Sequence, residues 1–276
     1  MPVRDHVQSV HLYGVTNARP VIVSSGDGGW LHLGPHVAHL LAAHGCFVVG
    51  FDVKAYLASA TTGSPRLQAD DEPSDLRTIS DYANQFSLSK PILIGISEGA
   101  GLSLLAASDP ITQRSIAGVI GIGLRDRNEL GGRWRDSLIC LTHGIPKEPT
   151  FSAASLIGKV SPLPMALVHS SHDEFVPLTD AQRMVGLSDE PKKLWVVDAA
   201  DHRFRVRHGP GTDGPVVAQC ELLQVVGGSG GGLEAGVDVG GDQLDLLGRE
   251  CLVGDLEGGA EGAGGEDGNA VDQQFA

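Results

Sequence analysis

The chain has 276 residues, 41% of them hydrophobic, and carries 34 acidic against 20 basic side chains for a formal net charge of -14. That length and apolar content suit one α/β domain with a real core and exclude wholesale disorder. No apolar run approaches the ~20 residues of a membrane-spanning helix. No basic patch gives the footprint of a nucleic-acid binder, and the four scattered cysteines, Cys46, Cys140, Cys220 and Cys251, lack the spacing of a zinc ribbon or disulfide scaffold.

The charge is unevenly distributed. Residues 1–205 balance to -3, whereas residues 206–276 hold 13 acids against 2 bases, 19 of the 38 glycines and one aromatic, Phe275. The expectation is one domain over 1–205 followed by an acidic, glycine-rich tail over 206–276, disordered because glycine at this density opposes ordering. Within the tail only 216–226 and 243–253 read as candidate elements.

Along the first 205 residues, short apolar runs at 20–24, 46–52, 91–96, 116–122, 164–169 and 193–198 read as buried parallel strands. Between them lie helix patterns. Pro35 suits a first turn, Val37, Leu40 and Leu41 follow at i, i+3 and i+4 spacing, and Gly45 closes the end. After Pro73, the residues Leu76, Ile79, Tyr82 and Phe86 fall on one face. Alternation of this kind predicts an α/β fold, a mostly parallel sheet covered on both faces. Its site is expected at the carboxyl ends of the strands.

Residues 91–106 read PILIGISEGAGLSLLA: an apolar strand, then Gly95-Ile96-Ser97-Glu98-Gly99, then a helix of small residues. This is a GxSxG nucleophile elbow in the strand–turn–helix context that gives the motif meaning, the α/β-hydrolase arrangement. A second match, Gly227-Gly228-Ser229-Gly230-Gly231, has no strand before it and no helix after it. Ser97 is the candidate nucleophile, and the helix behind it adds partial positive charge where an oxyanion would develop.

A serine nucleophile needs a base, and the base needs an orienting carboxylate, in the chain order acid then histidine. The run at 164–169 leads to Asp173, the candidate acid, with Glu174 as its rival. The run at 193–198 leads to His202, the candidate base, with His208 as its rival. His169 reads as a strand residue and His172 as a neighbour of the site. One oxyanion N–H is expected from Glu98. The other is expected from the loop Ser24-Ser25-Gly26-Asp27-Gly28-Gly29-Trp30, at Asp27 or Gly28. That loop lacks the lysine of a phosphate-binding loop. His32, His36 and His39 lack a convincing acidic or cysteine partner, so no metal is assigned to them.

Together, SSGDGGW, VVGFDVKAY, GISEGAG, SSHDEFVPL and AADHRF resemble the VirJ/AcvB type of bacterial virulence protein, an α/β-hydrolase family, over about residues 20–205. The resemblance implies a serine hydrolase with Ser97, Asp173 and His202 as its triad and the GDGGW loop as oxyanion support. It also implies aminoacylated phosphatidylglycerol at the periplasmic side as one class of substrate. Two features depart from the pattern: Glu98 and Gly101 stand where such proteins often carry an aromatic and an acid. The N-terminus has no apolar stretch behind Arg4, so it reads as cytoplasmic, while the resemblance keeps a periplasmic location open.

Residues 123–163 form a long, cap-like connection. Within it Arg133, Trp134 and Arg135, together with Trp30 of the glycine loop, are candidate substrate-binding residues, the arginines for an anionic group. The reading is a serine hydrolase of a carboxylic ester, acting on a small-molecule or lipid ester, with no cofactor and no nucleic-acid partner implied. A non-catalytic binding module is the alternative, and so is a thioesterase or peptidase on the same three residues.

Overall fold

The computed structural model describes residues 1–62, 66–131 and 148–205. Arg133, Trp134, Arg135 and His208, the second GxSxG match and the whole of 206–276 lie outside them.

All six apolar runs form strands: β4 (Arg19–Ser24), β5 (Cys46–Phe51), β6 (Ile92–Ile96), β7 (Gly118–Ile122), β10 (Met165–Ser170) and β11 (Lys192–Val197). Five shorter strands accompany them. A hairpin of β1 (Pro2–Val3) and β2 (His6–Val7) opens the chain, β3 (Val10–Tyr13) follows, and β8 (Arg127–Glu129) pairs antiparallel with β9 (Thr150–Ser152). The main sheet runs β11-β10-β7-β6-β4-β5-β3. Every neighbouring pair in it is parallel except β3 with β5.

The helices are α1 (Leu33–Ala43), α2 (Val53–Thr62), α3 (Glu72–Ala83), α4 (Glu98–Ala107) and α5 (Leu178–Gly186). Strand side chains alternate between faces, and that divides the core in two. Ile22, Leu93, Val119 and Leu167 point to one side, where residues of α2, α3, α4 and α5 pack on them. Val21, Val23, Ile92, Ile94, Ile120 and Val168 point to the other, which α1 and Phe204 cover. Sheets buried on both faces produce near-continuous apolar strands, which is why these six were readable as runs.

α4 explains the glycine-rich elbow. All ten of its residues are buried, so it has no polar face to offer water and packs closely on all sides. The first turn approaches the end of β4 so closely that a Cβ on Gly99 would overlap the carbonyls of Ser24 and Ser25. A Cβ on Gly95 would in turn overlap the Gly99 carbonyl. The helix expected after Pro73 ends earlier than its apolar face implied, at Ala83. Phe86 follows in a turn and packs on Tyr82 and Phe47 with ring centroids 5.3 and 5.2 Å apart.

The strand order reverses at β4, with β5 on one side and β6 on the other. In an open sheet of this kind, that reversal leaves a crevice at the carboxyl ends, the usual place for a ligand. The ends of β4 and β6 are Ser24 and Ile96, immediately before the glycine loop and the GxSxG serine.

Candidate active site

Ser97 follows β6 with φ 52° and ψ -112°, a conformation that a residue with a side chain adopts only where its surroundings impose it. Its N–H donates to the Ile122 carbonyl of β7 at 2.8 Å, and its carbonyl accepts from Ala100 at 3.0 Å. Strand, turn and helix therefore hold the serine from three directions and leave its Oγ facing the crevice end of the sheet. His32, just before α1, takes nearly the same conformation, φ 57° and ψ -110°. Two helices of this fold thus begin behind a strained residue.

His202 reaches Ser97 from the loop after β11. Its Nε2 lies 3.1 Å from Ser97 Oγ, and its Nδ1 lies 2.6 Å from Asp173 Oδ2. The local sequence builds this loop. Asp201 accepts the N–H groups of Arg203 at 3.0 Å and Arg205 at 3.2 Å, and also the Arg205 guanidinium. Phe204, at φ 58°, buries its ring in the core below. Gly123, at φ +62°, passes so close that a Cβ there would stand 2.8 Å from His202 Cε1. The ring is also met edge-on by Phe175, with centroids 5.5 Å apart.

Asp173 lies past the end of β10 with its side chain wholly shielded from solvent. Burial pushes its pKa up, but hydrogen bonds from His202 and from the N–H groups of Val176 and Phe175 outweigh it and hold the carboxyl below the usual range. The two backbone contacts are 2.8 and 2.9 Å. An ionised carboxylate only accepts, so Nδ1 carries the imidazole proton and Nε2 accepts from the Ser97 hydroxyl. The neighbouring Glu174 takes a different part: its Oε2 accepts the backbone N–H of His202 at 2.8 Å.

His169 supports the same loop from below. It is 1% exposed, and its Nε2 donates to the Val176 carbonyl at 2.9 Å. Burial lowers its pKa from the ordinary 6.5, against the opposing pull of Val176 and Asp173. The stability this neutral ring contributes is complete above the unfolded pKa and is lost as pH falls through the depressed native one. His169→Gln is therefore expected to flatten the decline of unfolding free energy as pH falls below about 6.5. Urea melts across that range check it, and an unchanged slope would show that the ring is not held neutral.

The glycine loop after β4 brings Gly26 beside the serine: a Cβ on Gly26 would lie 3.4 Å from Ser97 Cβ. Its neighbour Asp27 is half-buried, and Gly28 is exposed with open space around it. Ser25 fixes the loop, its Oγ accepting the Val53 N–H at 3.1 Å and donating to the Gly26 carbonyl at 3.2 Å. Trp30, half-buried, packs against β3 and β5. Its ring stacks on His11 at 4.9 Å, its Nε1 donates to the Tyr13 hydroxyl at 3.0 Å, and it fills the space above Gly50. These contacts tie the loop to β3 and β5.

The sequence pattern placed Gly26 only within the glycine loop, and it did not single out Gly123 or His169 as parts of this constellation. A positive φ at Gly123 and the close approach of Gly26 are signals that local pattern does not carry. They arise only when two distant strands lie side by side.

Comparison with known proteins agrees with this architecture. Residues 19–126 match the family model of the bacterial virulence protein VirJ. A 64-residue stretch is 31% identical to the uncharacterized protein YfhR of Escherichia coli K12, covering 22% of this chain and 22% of that one. The match thus spans about a fifth of that relative's length. Among solved structures, dienelactone hydrolase from Anabaena variabilis superposes with a TM-score of 0.55 at 18% identity, over 81% of this chain and 91% of that one. The ferulic acid complex of Est1E from Butyrivibrio proteoclasticus gives 0.52 at 14% identity, over 73% and 90%. Monoacylglycerol lipase from Paleococcus ferrophilus gives 0.51 at 15%, over 72% and 91%. No helix among the described residues is long and apolar enough to cross a membrane. The chain has the α/β-hydrolase fold, and its residues 19–126 are similar to the VirJ family.

Proposed function

We propose that this chain is a serine hydrolase that cleaves carboxylic esters through an acyl-enzyme. The observation that carries the reading is the unbroken line from Asp173 through His202 to Ser97, with contacts of 2.6 and 3.1 Å and the serine on a strained elbow. Ser97 Oγ bonds to the ester carbonyl carbon while its proton passes to His202 Nε2. His202 returns that proton to the departing alkoxide as the carbon–oxygen bond breaks. Water then attacks the acyl-enzyme by the same path in reverse, and Ser97 is regenerated. Asp173 orients the imidazole and stabilises its cation. The N–H of Glu98 and an N–H of the Asp27–Gly28 turn would hold the oxyanion. The steps balance without a cofactor.

The substrate is an ester whose acyl carbonyl reaches the carboxyl ends of β4 and β6. Arg133 and Arg135 in the connection are proposed to receive an anionic group of that ester, such as the phosphate of a lipid headgroup. The test is labelling with a fluorophosphonate probe and peptide mass spectrometry on wild type and Ser97→Ala. Modification at Ser97 that vanishes in the variant is expected. A folded protein that takes no label would instead be a non-catalytic binding module. A chromogenic ester run beside a thioester and a peptide anilide then separates the three acyl-transfer reactions.

A further inference from the structure

Beside the proposed nucleophile stands a carboxylate that acyl transfer does not call for. Glu98 follows Ser97 and begins α4, and its side chain is 3% exposed. Its Oε1 accepts the Glu129 N–H at 2.7 Å, and its Oε2 is paired with the Arg125 guanidinium. Three residues further along the helix, Gly101 leaves the space that the Asn128 amide fills. That amide donates to the carbonyls of Arg125 at 3.0 Å and Asp126 at 3.3 Å. Glu98 and Gly101 lie on one face of α4 at i and i+3 spacing. Together they hold the segment 125–129 in place, with Arg125 against Glu98.

The backbone N–H of Glu98 is the proposed donor to the oxyanion. Negative charge therefore builds up beside a residue that already carries a buried negative charge, where solvent screens little. We propose that Arg125 is a positioning residue for catalysis that acts through Glu98, cancelling its charge so that the oxyanion can form at the neighbouring amide. The proposal rests on reading Ser97 as the nucleophile. Arg125 touches the carboxylate through one terminal nitrogen, and its Nε is buried with no hydrogen-bond partner. It therefore supplies a positive charge rather than a two-pronged fork. Arg183, also close to this segment, pairs with Asp126 and Asp180.

The test is a double-mutant cycle, with kcat and KM for a neutral chromogenic ester, the rate of fluorophosphonate labelling, and Tm measured on each protein. Arg125→Gln is expected to lower kcat on the order of 10²-fold with little change in KM, because the carboxylate that has lost this cation opposes the transition state. Arg125→Lys restores most of that loss. In a Glu98→Gln background, adding Arg125→Gln is expected to change kcat by less than about threefold, since no charge remains to cancel. An equal loss from Arg125→Gln in both backgrounds overturns the proposal, as does a loss that falls on KM. If the wild-type protein neither labels nor cleaves the ester, it is the serine-hydrolase reading that fails, and the proposal falls with it.

Discussion

Replacement of Ser97 or His202 by Ala is expected to lower kcat for any ester the protein hydrolyses by at least about 10⁴-fold, as losses within such triads do. Little else in the molecule should change. Alanine keeps the Cβ of serine, so the strained backbone at φ 52° is neither relieved nor worsened. The Ser97 hydroxyl makes its side-chain contact with His202 alone among the described residues. Initial rates and thermal melts on the two variants separate chemistry from folding. Retained activity in either would remove that residue from the mechanism. Asp173 calls for a different substitution. Its carboxylate is buried and accepts three hydrogen bonds, so Ala there would confound loss of orientation with loss of the loop. Asn keeps the shape and points an amide at the imidazole, where the wrong tautomer becomes the stable one.

The second large effect is on stability. Gly95→Ala is expected to cost about 3 kcal/mol or more, because the new Cβ meets backbone atoms of Gly99 and Ala100 that have no rotamer with which to yield. For a domain of this size that corresponds to a fall in Tm of roughly 6–12 °C, accompanied by loss of activity as the elbow is pushed open. Gly28→Ala supplies the contrast. Gly28 is exposed, has nothing within 4 Å of the added carbon and does not adopt a positive φ, so its melt should match wild type. Equal melts for the two variants would mean that strand β6 and helix α4 are not packed as closely as the structure has them.

The parallel strands were legible because burial on both faces leaves them little room for polar residues. β3 was not. Its sequence Val10-His11-Leu12-Tyr13 mixes polar and apolar side chains of intermediate exposure, and only its pairing with β5 makes it a strand. Two helices also escaped notice although their signal was present. Val53, Tyr56, Leu57 and Ala60 are buried along α2, as are Ala181, Met184 and Val185 along α5, both with helical spacing.

The site divides along the same line. The residues that chemistry demands at strand ends, Ser97, Asp173 and His202, could be sought one by one because each follows an apolar run. Their supports could not. The Arg125–Glu98 pair spans 27 residues and the Ser25–Val53 contact spans 28. Each depends on which strands neighbour each other, a property of the topology rather than of either segment. His169 was visible as a strand residue, but its bond to Val176 depends on how the Asp173 loop turns back.

The order of the strands has a consequence for how this protein would fail. β6, which leads to Ser97, lies inside the sheet between β4 and β7, whereas β10 and β11, which lead to Asp173 and His202, lie toward one edge. Central strands exchange their amide hydrogens only through global unfolding, while edge strands open in smaller excursions at lower free energy. An excursion that lifts β11 away takes His202 from Ser97 and leaves the elbow untouched. On the proposed mechanism, the lifetime of activity is then set by β11 rather than by the whole sheet and can end in a molecule that is still folded.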